Sequence, residues 1–297
     1  MGTTKRRRRQ LRRCRRLRAV LWLLLLGLLA LWTLWGNTAL VTTRAVFESP
    51  LLPAAFGGFR ILQVSDLHDA RIGQDNARLI APARAAEPDI IVLTGDMIDS
   101  NRPDPELTLK TVEGLAAIAP VYYVSGNHEA ALSWDDYHSL TRRMRALGVQ
   151  VLEDQAAVLS RGGTDIQLIG LKDLGFIPGS IPERRQEVTN TLRLFARDDM
   201  FTLVLSHRPE LMDEYAQASC ELVLCGHAHG GQVRLPLIGG LFSPGQGLFP
   251  KYDAGLYFAG GTAMYLSRGI GNSNFPLRFN NRPELVLIEL KAVPAGS

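Results

Sequence analysis

Five short apolar runs, each ended abruptly by polar residues, constrain the fold of this 297-residue chain more than any other feature. The runs cover residues 59–64, 89–94, 120–125, 201–206 and 221–225, and they end in SDLHD, GDMID, GNHE, SHRPE and GHAHGGQ. Segments with the apolar spacing of helices lie at 76–86, 106–119, 134–148 and 209–218. Strands that alternate with helices predict a largely parallel sheet.

Three other segments show a different pattern. Residues 149–171, 255–268 and 283–290 read as short strands joined by Gly-rich turns, with no helix between them. This pattern predicts a second sheet, mixed or antiparallel. We therefore expect an α/β fold with two sheets.

The N-terminal region is organised as a membrane anchor. The first 18 residues hold ten Lys and Arg and no acid, and residues 19–43 carry no charge. At 1.5 Å per residue the uncharged stretch is long enough to cross a hydrocarbon core of ~30 Å. It also exceeds the ~7 to 15 apolar residues of a cleaved signal peptide, which favours an uncleaved signal anchor. The positive-inside bias places the leader in the cytoplasm and everything after Thr43 on the extracytoplasmic side.

These features predict five segments along the chain. They are a basic cytoplasmic leader (1–18), a transmembrane signal anchor (19–43), a linker (44–58), a globular domain (59–291) and a C-terminal tail (292–297). The oligomeric state is left open.

Charge and cysteine content count against two classes of protein. Beyond the leader the chain carries 23 basic and 29 acidic side chains, a net charge of −6, which disfavours binding to nucleic acid. Cys14, Cys220 and Cys225 are too few for a disulfide framework.

Histidines concentrate at the ends of the apolar runs. Five of the six lie there, and the exception is His138; the five are His68, His128, His207, His227 and His229. Ligands of open α/β sheets bind outside the carboxyl ends of the strands, so we expect these side chains to meet. In an extended backbone, Asp66 and His68 would point to one face, and so would His227 and His229. Imidazole and carboxylate together favour Zn, Mn, Fe or Co over Mg and Ca.

The motifs resemble those of a known family. Asp66-x-His68, Gly95-Asp96, Gly126-Asn127-His128-Glu129, His207 and Gly226-His227-x-His229 are similar to the five motifs of the calcineurin-like metallophosphoesterases, in their usual order between Phe59 and Glu289. The stretch GHAHGGQVRLPLIGGLFSPGQGLFP, with the anchor ahead of it, resembles the membrane-anchored bacterial phosphodiesterase branch. The resemblance implies a four-layer α/β/β/α fold, a two-sheet mixed β-sandwich flanked by helices.

The resemblance also implies a centre of two divalent ions. Asp66, His68, Asp96 and His229 would hold the first ion, and Asp96, Asn127, His207 and His227 would hold the second. A bridging hydroxide would attack phosphorus. His128 would be the catalytic residue, stabilising the transition state or protonating the leaving oxygen.

Four further side chains are candidates for orienting the ligands, with solvated or capping roles as the alternative: Asp69, Asp99, Glu129 and Arg208. Two positions depart from the family pattern. Asp69-Ala70 replaces a small hydrophobic residue and Gly, and Glu129 replaces the common Asp. Neither departure removes a proposed ligand.

The expected function is metal-dependent hydrolysis of a phosphoester, with a phosphodiester on a lipid-linked or cell-wall molecule as the preferred substrate. The alternatives are a metal-binding or sensing protein without turnover, and a nuclease. The Gly-rich residues 230–247 and the segment 269–279 are candidates for the wall of the substrate pocket, with ordinary loops as the alternative.

Overall fold

The computed structural model describes residues 2–197, 199–272 and 275–294. Within them, one long helix, α1 (Gly2–Thr38), precedes a domain built on two six-stranded sheets. The other helices are α2 (Ala77–Ala85), α3 (Pro105–Ala116), α4 (Asn127–Ala130), α5 (Trp134–Ala146), α6 (Ile181–Phe195) and α7 (Met212–Gln217). Strands of the first half are β1 (Val41–Ser49), β2 (Phe59–Val64), β3 (Ile90–Thr94), β4 (Val121–Val124), β5 (Gln150–Val151), β6 (Gln155–Arg161), β7 (Thr164–Gly170) and β8 (Thr202–Leu205). Those of the second half are β9 (Leu222–Cys225), β10 (Arg234–Leu235), β11 (Gly239–Gly240), β12 (Phe242–Ser243), β13 (Gly247–Leu248), β14 (Gly255–Ala259), β15 (Thr262–Leu266) and β16 (Glu284–Ala292).

Both large sheets are mixed. The first has the order β1-β16-β2-β3-β4-β5, with β16 antiparallel to β2 and the other neighbours parallel. The second has the order β14-β15-β9-β8-β7-β6, with antiparallel pairs only at its two edges. The predicted α/β fold with two sheets flanked by helices is confirmed.

The apolar runs form strands because both of their faces are buried. Ile61, Val92 and Leu203 point between the two sheets into one shared core. Their neighbours point outward into two further cores, such as Leu62 against helices α2, α3 and α5, and Val204 against α6 and α7. A strand covered on both faces reads as a continuous apolar run rather than as an alternating one. The layers therefore stack as helix, sheet, sheet and helix.

The assignment of strands to sheets differs from the expectation. β8 and β9 lie in the second sheet, whereas β16 and the short β5 lie in the first. After β5 the chain enters the antiparallel pair β6–β7, and β8 then pairs with β7. The alternation of strands and helices predicts where these strands lie in the sequence. It does not predict which sheet each strand joins.

The segment 44–58 is not the linker that the sequence predicted. β1 begins at Val41, three residues after α1 ends, and pairs in parallel with β16 along nine residues. Its Thr43 donates a hydrogen bond to the buried carboxylate of Glu284, and Phe47 lies 6.1 Å from Phe201 between ring centroids. Without β1, β16 would be an exposed edge strand, which explains why the segment is recruited. The other predicted boundaries stay predictions, and residues 295–297 of the tail lie outside the described part.

Helix α6 is absent from the predicted set. Ser180 and Glu183 form a capping box at its start, in which the Ser180 backbone N–H donates to the Glu183 carboxylate over 2.7 Å. The S-x-x-E spacing ahead of a helical run is the signal that could have located it.

Helix α1 is long and apolar enough to cross a membrane. Its candidate span, Leu11–Thr38, is 28 residues long, and its most apolar 18-residue window makes no buried contact with the rest of the protein. Length and composition are thus compatible with the predicted anchor.

The strand β1 yields a test of the domain boundary. A chain that starts at Ala39 should unfold at least about 5 °C above one that starts at Phe59, because each kcal/mol of stability shifts the midpoint by roughly 2–4 °C in a domain of this size. Thermal unfolding followed by circular dichroism measures the difference. Equal midpoints would show that β1 contributes nothing to stability.

Candidate metal centre

The seven residues predicted as metal ligands come together at the ends of strands from both sheets. Asp66, His68, Asp96 and His229 form one group, and Asp96, His207 and His227 form a second. Within each group the ligand atoms lie within 4.8 Å of one another, and every side chain is buried. The amide oxygen of Asn127 lies 3.2 Å from Nε2 of His207. Asp96 belongs to both groups, so the two share one carboxylate.

The left-handed backbone conformation of these residues, rather than the alternation of side chains along a strand, orients the ligand side chains. Asp66, His68, Asp96, His227 and His229 all have positive φ, between 47° and 73°. The expectation that Asp66 and His68 share a face of an extended segment, and likewise His227 and His229, was therefore wrong in its geometry. Left-handed backbone at non-glycine residues is uncommon, and it persists only where the surroundings enforce it.

Two motif glycines allow the chain segments to approach closely. A Cβ on Gly126 would lie 2.3 Å from Oδ1 of Asp96, and one on Gly226 would lie 2.0 Å from Oγ of Ser65. Both distances are far shorter than van der Waals contact. These motifs need glycine because any side chain would displace the neighbouring carboxylate segment.

The shared carboxylate of Asp96 is held ionised. Burial raises its pKa, but the imidazoles of His207 and His68 outweigh burial and hold the pKa well below its ordinary value. Oδ2 lies 3.2 Å from Nε2 of His207 and 3.6 Å from Nε2 of His68. Oδ1 accepts a hydrogen bond from the backbone N–H of His128 over 2.8 Å.

Nitrogen and oxygen ligand atoms converge in the first group. Burial lowers the pKa of His68 to about 4 and that of His229 to about 3, so both imidazoles are neutral at pH 7. Their Nε2 atoms lie 3.2 Å apart, and the His229 nitrogen lies 3.5 Å from Oδ1 of Asp66. Protons can satisfy only part of this set, whereas one cation would satisfy all of it. The donor types fit Zn, Mn, Fe or Co.

In the second group, His207 carries a proton that a metal ion would displace. His207 donates from Nδ1 to the carbonyl oxygen of Thr94 over 2.8 Å, which directs its Nε2 toward Asp96. Burial lowers the pKa of His207, but the Asp96 carboxylate outweighs burial and raises it to about 10. The pKa of His227 lies well below its ordinary value because of burial and the positive charge of Arg208. A cation seated here would therefore displace the proton of His207.

The four predicted orienting residues all have specific partners. Glu129 accepts hydrogen bonds from the backbone N–H groups of Gly126, Asp96 and Met97, over 2.7 to 2.8 Å. Asp99 places a carboxylate oxygen 3.3 Å from Nδ1 of His128.

Arg208 contacts a predicted metal ligand, whereas Asp69 contacts the backbone of a nearby loop. Nη1 of Arg208 lies 3.0 Å from Nε2 of His227. Asp69 accepts from the backbone N–H groups of Asp99 and Asp104, so it holds the loop after β3 rather than a ligand.

The candidate catalytic residue His128 packs beside the first group. Its ring lies edge-on to that of His68, with centroids 4.5 Å apart. The backbone N–H of Ser100 donates to Nδ1 over 3.0 Å, so the neutral ring carries its proton on Nε2. His138, in contrast, lies on the exposed side of α5 against Trp134.

Sequence reasoning missed two residues of the centre. Asp173 is buried and binds Arg208 through both of its oxygens, over 2.5 and 2.9 Å. Arg278 is fully buried, and its Nη2 lies 3.3 Å from Nδ1 of His229. Neither lies in a recognisable motif. Only the marking of 269–279 as a candidate pocket wall pointed toward Arg278.

Comparison with known proteins agrees with the geometry. The family model of the calcineurin-like phosphoesterases matches residues 59–231. The chain is 32% identical over 259 residues to an uncharacterized metallophosphoesterase of Bacillus subtilis, YkuE, covering 84% of this chain and 85% of that protein. It is 32% identical over 240 residues to the phosphodiesterase YaeI of Escherichia coli, covering 78% of this chain and 82% of that protein.

A more distant relative carries a membrane segment in its name. The transmembrane protein with metallophosphoesterase domain from Bos taurus is 27% identical, over 82% of this chain and 55% of that protein. Among solved structures, a dimetal phosphatase from Danio rerio matches with 13% identity and a TM-score of 0.48, covering 78% of this chain and 99% of that one.

The four backbone hydrogen bonds to Glu129, the fourth from Ile98 over 3.4 Å, predict that an amide cannot replace this carboxylate. Glu129→Gln would set an NH₂ group against a backbone N–H, at a cost of about 1–3 kcal/mol, and would loosen metal binding by roughly 10- to 100-fold. Denaturant unfolding and metal titration measure the two effects. The exposed Glu187→Gln is the matched control and should change stability by less than about 0.5 kcal/mol. An unaltered metal affinity in Glu129→Gln would contradict the orienting role.

Proposed function

This chain belongs to the calcineurin-like phosphoesterase family, and we propose that it hydrolyses phosphodiesters at a centre of two divalent ions. The observation that carries the proposal is the sharing of Asp96 between two ligand groups, since one carboxylate has two oxygens for two ions. The relative named as a phosphodiesterase supports a diester substrate. Water and a phosphodiester would give a phosphomonoester and an alcohol.

The ligands are proposed in two sets. Asp66, His68, Asp96 and His229 would hold one ion, and Asp96, Asn127, His207 and His227 the other. Bound ions would lower the pKa of a shared water and neutralise the phosphoryl oxygens. The protein supplies three neutral imidazoles at pH 7, and burial keeps bulk water away from the ligand atoms.

His128 is proposed to donate a hydrogen bond to the leaving oxygen and so to stabilise the transition state. Because the backbone N–H of Ser100 occupies Nδ1, the one proton of the neutral ring lies on Nε2 and is the one offered to the substrate. The leaving alkoxide takes its proton from water. His128 also orients Asp96 through its backbone N–H, so one residue links the proposed hydrogen-bond donor to the shared ligand.

Arg208 is proposed to bind a phosphoryl oxygen. Asp173 fixes its guanidinium through two hydrogen bonds, and Nη1 remains directed toward the second ligand group. A guanidinium held in this way recognises phosphate at little cost in side-chain freedom.

Helix α1 is proposed to anchor the domain in the cell membrane, with the N-terminus in the cytoplasm. An anchor holds the centre near a surface, which favours a lipid-linked or cell-envelope phosphoester as substrate. The candidate span and the transmembrane relative support this location.

Substitution of His128 separates turnover from metal binding. His128→Asn should lower kcat on an aryl phosphodiester by about 10²- to 10³-fold, because the hydrogen bond from Nε2 to the leaving oxygen is lost in the transition state. Metal content should stay as in the unsubstituted chain, and His138→Asn should keep full activity. A metal-loaded chain that hydrolyses no phosphodiester or phosphomonoester would identify a binding or sensing protein instead.

Metal binding should release protons. The raised pKa of His207, about 10, means that this ring is protonated at neutral pH before the ion binds, so affinity should fall by about tenfold for each pH unit below about pH 10. Calorimetric titration with Mn²⁺ in buffers of different ionisation enthalpy gives both the stoichiometry and the proton count. Two ions are expected, with one proton released by His207 and up to one more by the shared water. A single ion, or no released proton, would contradict the proposed ligand sets.

A further inference from the structure

We propose that the face around the metal centre enters the same bilayer that α1 crosses, through an apolar rim on either side of the active-site mouth. The apolar rim consists of Leu237, Ile238, Phe242, Leu248, Phe249, Phe275 and Leu277. The substrate would then be an amphiphilic phosphoester whose apolar part stays among the acyl chains during hydrolysis. This inference rests on the proposed function, both for the anchor and for the reaction.

The domain is joined directly to the end of α1. Asn37 donates from its amide to the carbonyl oxygen of Arg278 over 2.8 Å, and its side-chain oxygen accepts from the Arg278 backbone N–H over 2.8 Å. The guanidinium of Arg282 lies 4.8 Å above the ring of Trp35 and donates to the Ala39 carbonyl. Since β1 begins at Val41, little free chain separates the helix from the sheet. The face that carries residues 278–282 therefore points toward the membrane.

One side chain connects this junction to the metal centre. The backbone of Arg278 is bound by Asn37, while its guanidinium reaches His229 and the Gly271 carbonyl. Burial lowers the pKa of Arg278 only to about 10, so it remains charged at neutral pH. The centre thus lies within the length of one arginine from the helix end. A substrate in solution does not require such proximity.

The apolar rim adjoins the same junction. Phe275 and Leu277 directly precede Arg278, and each is about half exposed. The hairpin β10–β11 starts beside them, because the backbone N–H of Arg234 donates to the carbonyl oxygen of Phe279 over 3.0 Å. Leu237 is at the tip of that hairpin with its side chain fully in solvent.

The rim has the composition of a membrane-facing surface. The sixteen residues from Leu235 to Pro250 carry no charged side chain. Among them, Leu237, Leu248 and Phe249 are 108%, 72% and 66% exposed, and they lie close together in the chain rather than scattered singly over the surface. Leu237 and Phe249 also have positive φ, at 67° and 54°, a strained conformation for such residues. Strain that presents apolar side chains outward indicates a functional surface.

One turn of these loops, at Gly245, approaches the metal centre. A Cβ on Gly245, in the turn between β12 and β13, would lie 3.4 Å from Nε2 of His227. Leu248 follows three residues later, on β13. Rim and centre therefore share one opening. A bilayer that receives the rim would bring lipid head groups to the ligand residues.

The full chain in lipid nanodiscs provides the direct test. A polarity-sensitive fluorophore is attached at Leu248→Cys in a Cys14→Ser background, because Cys14 is the exposed cysteine and Cys220 and Cys225 are buried. Spin-labelled lipids should quench about half of its emission if the loop sits ~5–10 Å inside the interface. The matched control is Leu194→Cys, an exposed leucine on α6, which should stay unquenched. An unquenched Leu248 site, or a disulfide-linked dimer through it, would overturn the proposal in favour of a solvent loop or an interface between copies.

A charge substitution tests the consequence for the substrate. The double variant Leu237→Asp and Leu248→Asp should hydrolyse a fluorogenic phospholipid diester in vesicles at least about tenfold more slowly, because carboxylates oppose insertion of the rim. Hydrolysis of bis(4-nitrophenyl) phosphate in solution should change by less than about twofold, since the substitutions leave the metal ligands in place. Equal losses on both substrates would refute a membrane role for the rim. If the labelled Leu248→Cys chain is quenched but the unsubstituted chain hydrolyses neither compound, the insertion of the rim stands and the proposed function fails.

Discussion

The structure depends on one constraint, the burial of an ionised carboxylate, Asp96, among imidazoles. A charge taken out of water must be compensated by opposite charge and by hydrogen bonds. The backbone N–H of His128 and the ring of His207 supply part of that compensation. Much of the surrounding structure keeps this arrangement in place, from the glycines that make room for it to Glu129, which binds four backbone N–H groups around it.

This constraint explains why the two sheets must be packed together. Asp66, Asp96 and Asn127 follow strands of the first sheet, whereas His207, His227 and His229 follow strands of the second. Neither sheet alone brings both groups of ligands together. The shared apolar core between the sheets, with residues such as Val92 and Leu203, sets their separation and therefore the separation of the ligands. The packing of the two sheets therefore offsets the cost of holding several electron-pair donor atoms close together.

The N-terminal helix and the candidate metal centre are joined by direct contacts. β1 extends the first sheet and leads directly from α1, and Asn37 binds the segment that carries Arg278. An anchor on a flexible linker would leave the orientation of the domain undefined. The short connection places the centre near one face of the molecule, and that face carries the apolar rim.

Several features followed from the sequence alone, because they depend on local order along the chain. Apolar runs such as 59–64 predicted strands, and the histidines at their ends predicted a common site. The uncharged stretch 19–43 predicted an apolar helix. Capping at Ser180 was also readable, although it was overlooked.

Other features arise only from contacts between segments that are distant in sequence. The pairing of β1 with β16 joins residues more than 240 positions apart, so a strand looked like a linker. Asp173 and Arg278 have no motif, and they became part of the centre only when folding placed them beside Arg208 and His229. The sequence determined which side chains could carry the chemistry, since residue type and spacing are local. Tertiary structure decided which sheet holds each strand and which face meets the helix, because those depend on long-range pairing and on the burial of charge.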